Sequence, residues 1–156
     1  MAMKAAVFPG SFDPFTKGHE DVVRKGLDLF DKIYVAIGVN STKKYLFDLE
    51  QRKKWIADVF QGDERVEVIT FEGLTVDLCE RLEAGFILRG LRNPADFQYE
   101  SNIAQMNAKL KPKVQTVLLL CDPAHSAINS SIVREIFKNG GDVSHFVPNS
   151  IDLHAS

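Results

Sequence analysis

Four groups of residues in this 156-residue chain have the types and spacing to bind phosphate. The first is Gly10-Ser11-Phe12-Asp13-Pro14-Phe15-Thr16-Lys17-Gly18-His19. Gly10 permits a sharp turn and close approach of backbone to a ligand, and Gly18 does the same where a helix would open. His19 then falls in a first helical turn, where unpaired N–H groups and the positive end of the dipole attract an anion. The second group, Asn40-Ser41-Thr42-Lys43-Lys44, sets two cations on a loop. The third is Arg89-Gly90-Leu91-Arg92, whose guanidinium forks match phosphate oxygens, with Asp96 and Glu100 four residues apart on the helix beyond. The fourth, His125-Ser126-Ala127-Ile128-Asn129-Ser130-Ser131, offers hydroxyls and backbone N–H groups at another helix start. Each has a plain structural alternative: turn punctuation, a solvated lysine pair, an arginine in a salt bridge, carboxylates facing water, and simple capping. Asp96 and Glu100 could also hold a metal or act as a base.

The elements that must position these groups are legible as apolar β-branched runs alternating with amphipathic ones, the pattern of βαβ units. Strands are predicted at 5–8, where Pro9-Gly10 breaks the first, and at 33–37, 66–71, 86–88 and 116–120. Helices are predicted around Val22, Val23, Leu27 and Phe30; after Asp48, with Gln51 completing a capping box; over 75–83; and after Asn93-Pro94, with Ile103, Met106 and Leu110 as the apolar stripe. A last helix opens at Asn129 and stops at Gly140-Gly141. Five strands with short connections leave no room for a second domain, so residues 1–156 are expected to form one Rossmann-like, doubly wound α/β domain with a five-stranded parallel sheet. In such sheets ligands sit beyond the carboxyl ends of the strands, where the strand order reverses. The four groups follow strands one, two, four and five.

Composition narrows the classes further. With 45% hydrophobic and 26% charged residues the chain is neither disordered nor fibrous. Nineteen Lys+Arg against 21 Asp+Glu leave a net charge of -2, no global field for gripping nucleic acid, so an anion site must be local. Cys79 and Cys121 stand alone in apolar stretches and are expected to be buried, reduced thiols. No leader-like apolar segment follows Met1, and no run approaches a membrane span, which together suggest a cytoplasmic protein. No Ser/His/Asp or Cys/His arrangement and no metal-ligand cluster is spelled out.

The first group resembles the (T/S)xxH motif, in its longer GxFDPxTxGH form, of the nucleotidylyltransferase superfamily. The four groups in this order, with Phe47 and Leu49 after Lys43, Tyr99 beside Glu100, and the closing Gly141-Asp142-Val143-Ser144-His145-Phe146-Val147-Pro148, look like the bacterial phosphopantetheine adenylyltransferases over nearly the whole chain. That resemblance implies transfer of an adenylyl group from ATP to 4'-phosphopantetheine, giving dephospho-coenzyme A and pyrophosphate by direct in-line attack. It implies ATP contacts at Ser11, Phe12, His19, Gly90, Leu91, Arg92, Glu100, His125, Ser126, Ala127, Ile128, Asn129, Ser130 and Ser131. It implies acceptor contacts at Ser11, Lys43, Thr75 and Arg89, and catalytic roles for His19, Lys43 and Arg92 on the charge of the transferring phosphate and leaving pyrophosphate. Mg²⁺ would travel with the ATP rather than occupy a protein metal site, no nucleic acid or membrane would take part, and six copies would assemble. The chain departs from the family pattern at Ser11, where threonine is common, at His125, where Tyr or Trp is usual, and at Asn129, which interrupts a serine run. Another nucleotidylyltransferase, acting on nicotinamide mononucleotide or making a CDP-alcohol, and a silent nucleotide-binding module on the same fold are the alternatives.

Overall fold

Ala5, Ala6, Val7 and Phe8 are all buried, as are Ile33, Val35, Ala36 and Ile37, because helices cover both faces of the strands they form. The computed structural model describes residues 3–155. Its elements are β1 (Ala5–Gly10), α1 (Lys17–Gly26), β2 (Lys32–Gly38), α2 (Leu49–Val59), β3 (Val66–Phe71), α3 (Thr75–Leu82), β4 (Phe86–Leu91), α4 (Pro94–Leu110), β5 (Gln115–Leu120), a single 3-10 turn (Pro123–His125) and α5 (Ser130–Lys138). The strands pair in parallel in the order β3-β2-β1-β4-β5. Alternate residues of β1 point to opposite faces. Ala6 and Phe8 join the larger core with Ile33, Ile56, Leu88 and Val133, whereas Ala5 and Val7 join the smaller one with Val76, Leu78 and Cys79.

The strand order reverses between β1 and β4, and there the ladder is short. It pairs Ala6 with Phe86 and Val7 with Ile87, whereas β1 and β2 pair over six residues. Beyond Val7 the two backbones are no longer paired in the ladder, and a crevice opens at the switch point. The first strand runs on through Pro9 and Gly10 instead of breaking at them, and β4 includes Arg89, Gly90 and Leu91. Gly90 lets α1 pack closely: a Cβ there would stand 2.6 Å from Cγ2 of Val22. After α5, Val143, Val147, Ile151 and Leu153 return to the core, and the Phe146 carbonyl accepts the Lys17 N–H at 2.9 Å.

Four further local expectations change. Asp48 is the N-cap of α2, but its side chain makes no cap bond, and the Gln51 amide donates instead to the Ala155 carbonyl, so no capping box closes there. Helix α1 ends at Gly26, short of Leu27 and Phe30, which pack beneath it from the turn. The stripe of α4 faces outward: Ile103, Met106 and Leu110 are exposed, and the one buried residue of that helix is Glu100. Cys79 is buried, with burial pushing its thiol up to about 11, but Cys121 is only half-buried and lies at the crevice. Among the described residues no helix is long and apolar enough to cross a membrane.

Candidate active site

The capping box that does form lies at the start of α1. The Thr16 N–H donates to Nδ1 of His19 at 2.9 Å, and the His19 N–H donates back to Oγ1 of Thr16 at 3.3 Å. A backbone N–H can only donate, so Nδ1 is the acceptor nitrogen and the proton of the neutral imidazole sits on Nε2. Phe12 meets the ring edge-on at 5.0 Å and Phe15 lies 5.3 Å away. Burial, with Arg89 and Arg92 nearby, pushes the imidazole from its usual 6.5 down to about 3. His19 therefore offers the crevice an N–H donor, not a charge. Phe12 adopts φ 49, which turns its ring into the core at 3% exposure and leaves its backbone to face a ligand.

The crevice is a cavity of about 340 Å³. It gathers Ser11, Phe12, His19 and Lys43 from one side and Arg89, Gly90, Arg92 and Glu100 from the other, and the start of α5 closes it with Ile128, Asn129, Ser130 and Ser131. Lys43 Nζ donates to Oγ of Ser11 at 3.2 Å. Five predicted residues stand outside its wall. Leu91 is buried outside the cavity wall, His125 borders a separate surface hollow beside Lys17 and Arg24, and Ser126 and Ala127 are exposed on the outer turn. Thr75 lines a second hollow of about 220 Å³ that shares Pro9, Gly10, Arg89 and Glu100 with the first. The side chain of Asn129 caps α5, accepting from the N–H groups of Ser131 and Ile132, so this departure from a serine run is the helix's own N-cap.

Both arginines of the third group are held by carboxylates. Arg89 grips Glu100 through Nε at 3.0 Å and Nη2 at 2.7 Å, and its Nη1 donates at 2.6 Å to the Pro9 carbonyl that the shortened ladder leaves free. Arg92 is held to Asp96 at 3.0 and 3.2 Å and donates to the Ile128 carbonyl at 3.0 Å. Burial pushes the Asp96 carboxyl up, but the hydrogen bonds from the Arg92 side chain and backbone outweigh it and hold the group below the usual carboxylate range. The pair at positions 96 and 100 thus orients arginines. Asp13, the other buried carboxylate here, accepts the N–H groups of Leu46 and Phe47 at 2.8 and 2.9 Å. All three spend their oxygens within the protein, and no trio of metal-capable side chains gathers among the described residues.

Arg134 also lines the cavity, donating to the Asp13 carbonyl at 2.7 Å and to Oγ of Ser131 at 3.0 Å. The sequence reading missed it. The signal was its spacing, three residues beyond Ser131 and so on the same helical face.

The sequence profile of the cytidylyltransferase-like family matches residues 7–136. The phosphopantetheine adenylyltransferase of Flavobacterium psychrophilum is 53% identical over 96% of this chain and 98% of its own. That of Limosilactobacillus reuteri is 47% identical over 96% and 87%. Among solved structures, a Vibrio parahaemolyticus chain provisionally named nicotinate-nucleotide adenylyltransferase superposes with TM-score 0.70 at 19% identity, over 96% of each chain. A bifunctional NMN adenylyltransferase/ADP ribose pyrophosphatase of Francisella tularensis gives 0.68 at 19% identity, over 94% of this chain and 44% of its own. These two likenesses establish the fold.

The state of His19 is directly observable. ¹⁵N NMR of the imidazole is expected to show Nδ1 unprotonated and Nε2 protonated, unchanged from pH 8 to pH 5. The unfolded imidazole protonates near 6.5 and the folded one near 3, so its neutral burial favours the fold above 6.5 and that contribution is lost as pH falls toward 3. A His19 signal titrating near 6.5 contradicts the assignment.

Proposed function

The chain belongs to the cytidylyltransferase-like family and, within it, to the phosphopantetheine adenylyltransferases, and from that premise we propose that it adenylylates 4'-phosphopantetheine with ATP. A phosphate oxygen of the acceptor forms a bond to the α-phosphorus of ATP. The bond from that phosphorus to the bridging oxygen breaks on the opposite side, and the electron pair leaves with pyrophosphate. The products are dephospho-coenzyme A and pyrophosphate.

The observation that carries this reading is the pair of adjoining hollows that meet at Arg89: a large one ringed by cations and helix starts, and a smaller one reaching Thr75. One suits a triphosphate, the other the arm of a second substrate whose phosphate ends at the shared guanidinium. The acceptor phosphate is largely dianionic near neutral pH, with a second pKa of about 6, so its attack needs no base. Catalysis is then positioning plus electrostatic stabilisation. His19 Nε2–H and Arg92 attend the transferring phosphate and the pyrophosphate, and Ser11, Lys43 and Arg89 hold the acceptor phosphate. Since the site's carboxylates are spent on protein donors, Mg²⁺ comes with the ATP and neutralises its phosphates while bound. A cytoplasmic location goes with this reading.

A homohexamer is part of the proposal. Tyr99, Ile103, Met106 and Leu110 recur at helical spacing on one face of α4 and stand exposed in the single chain, an apolar stripe suited to another copy. Light scattering at micromolar concentration is expected to give six chains, and a monomer contradicts it.

The substrate assignment is tested by pyrophosphate release on mixing the protein with ATP and phosphopantetheine. Arg89→Ala alone would strand the buried Glu100 carboxylate, so it is paired with Glu100→Gln. The double variant is expected to raise KM for phosphopantetheine at least about thirtyfold, corresponding to about 2 kcal/mol of lost pairing, with a smaller rise for ATP. A loss seen mainly in the ATP titration would move Arg89 to the nucleotide half.

A further inference from the structure

Arg52 lies on α2, outside the walls of both hollows, yet it is 3% exposed. Its fork is spent on the backbone of the two loops that carry Ser11 and Lys43. Nε donates to the Phe47 carbonyl at 2.9 Å and Nη1 to the Ser11 carbonyl at 2.7 Å. The ring of Tyr45 lies against the guanidinium at 4.2 Å, and Lys43 Nζ stands 5.5 Å from the same ring. From the other direction, the Asp13 carboxylate accepts the N–H groups of Leu46 and Phe47. Residues 11–13 and 43–47 are thereby held together from both sides.

A buried guanidinium that bonds carbonyls instead of a carboxylate is an expensive way to stabilise a fold, because its desolvation is only partly offset. What it does provide is geometry: one rigid planar fork sets two carbonyls at a fixed separation, which a lysine ammonium cannot do. We propose that Arg52 is a positioning residue for the acceptor phosphate. Through the Ser11 carbonyl and the face of Tyr45 it keeps the Ser11 hydroxyl and the Lys43 ammonium 3.2 Å apart, so that both meet one phosphate. This rests on the adenylyl-transfer reading given above.

The test is a double-mutant cycle. Arg52→Gln and Arg52→Lys are each made alone and with Lys43→Ala, both substrates are titrated separately, and thermal denaturation gives the folded fraction. Arg52→Gln is expected to raise KM for phosphopantetheine or lower kcat by about tenfold or more per folded molecule, while KM for ATP stays near wild type. Arg52→Lys, which keeps the charge without the fork, is expected to recover part of the loss. In the Lys43→Ala background the Arg52 substitutions are expected to cost clearly less than in the wild type, because one of the two groups they position is gone. Variants that lower only the melting temperature, or losses that multiply in the double variant, overturn the proposal. If Arg52→Gln does not fold, Arg52→Lys carries the same cycle. A wild type that forms no dephospho-coenzyme A overturns the functional reading itself, whereas an active wild type with a flat cycle overturns the role of Arg52 alone.

Discussion

The hydrogen bond from the Thr16 N–H to Nδ1 of His19 is the contact on which the proposed role of His19 depends. It satisfies a donor at the start of α1, fixes the imidazole's orientation, and decides which nitrogen carries the proton. With Nδ1 occupied, the ring has no free lone pair to offer the cavity, so it can donate a hydrogen bond but cannot attack phosphorus. The surrounding structure serves this one contact. Phe12 turns through a left-handed backbone conformation to place its ring against the imidazole edge. The Phe146 carbonyl, from the segment after the last helix, takes the next orphan donor at Lys17.

Under the proposed reading the pocket takes two phosphorylated ligands and must concentrate positive charge before either arrives, and the cost of doing so is visible here. Burial first, and then the charges of Arg89 and Arg92, depress the His19 pKa, because the two guanidiniums repel a further positive charge beside them as well as each other. Glu100 and Asp96 offset that repulsion while aiming the guanidiniums, and Glu100 does so almost fully buried. Removing one partner of such a buried pair costs about 3–5 kcal/mol because the other charge is left stranded. The carboxylates are therefore part of the proposed phosphate site through the arginines they aim.

Much of this was legible along the chain. The apolar runs located all five strands, and the rule that ligands gather where strand order reverses brought the residues after four of them into one crevice. The failures share a cause: spacing along a chain reports neighbours on one element, not partners from another. Asp96 and Glu100 are indeed one helical turn apart, but each turned out to be fixed by an arginine on the preceding strand end or turn. Arg134 reaches Asp13 across 121 positions and Arg52 reaches Ser11 across 41, contacts no local pattern announces. The outward stripe of α4 has helical periodicity that reads the same whether it faces its own core or another chain. Glycine and proline in the first loop marked a turn, yet T-x-x-H as a capping box, with histidine in the place usually taken by glutamate, became apparent only from its hydrogen bonds.

Under the proposed reading, preorganised donors promote a single direct displacement at phosphorus with no covalent enzyme intermediate. ATP made chiral at its α-phosphorus, with sulfur in place of one oxygen, reports on this most directly, because each displacement inverts that centre. Dephospho-coenzyme A formed with inverted configuration is the expected result. Net retention would require two successive displacements, and with them a nucleophile on the enzyme that the Thr16-bound His19 could not be.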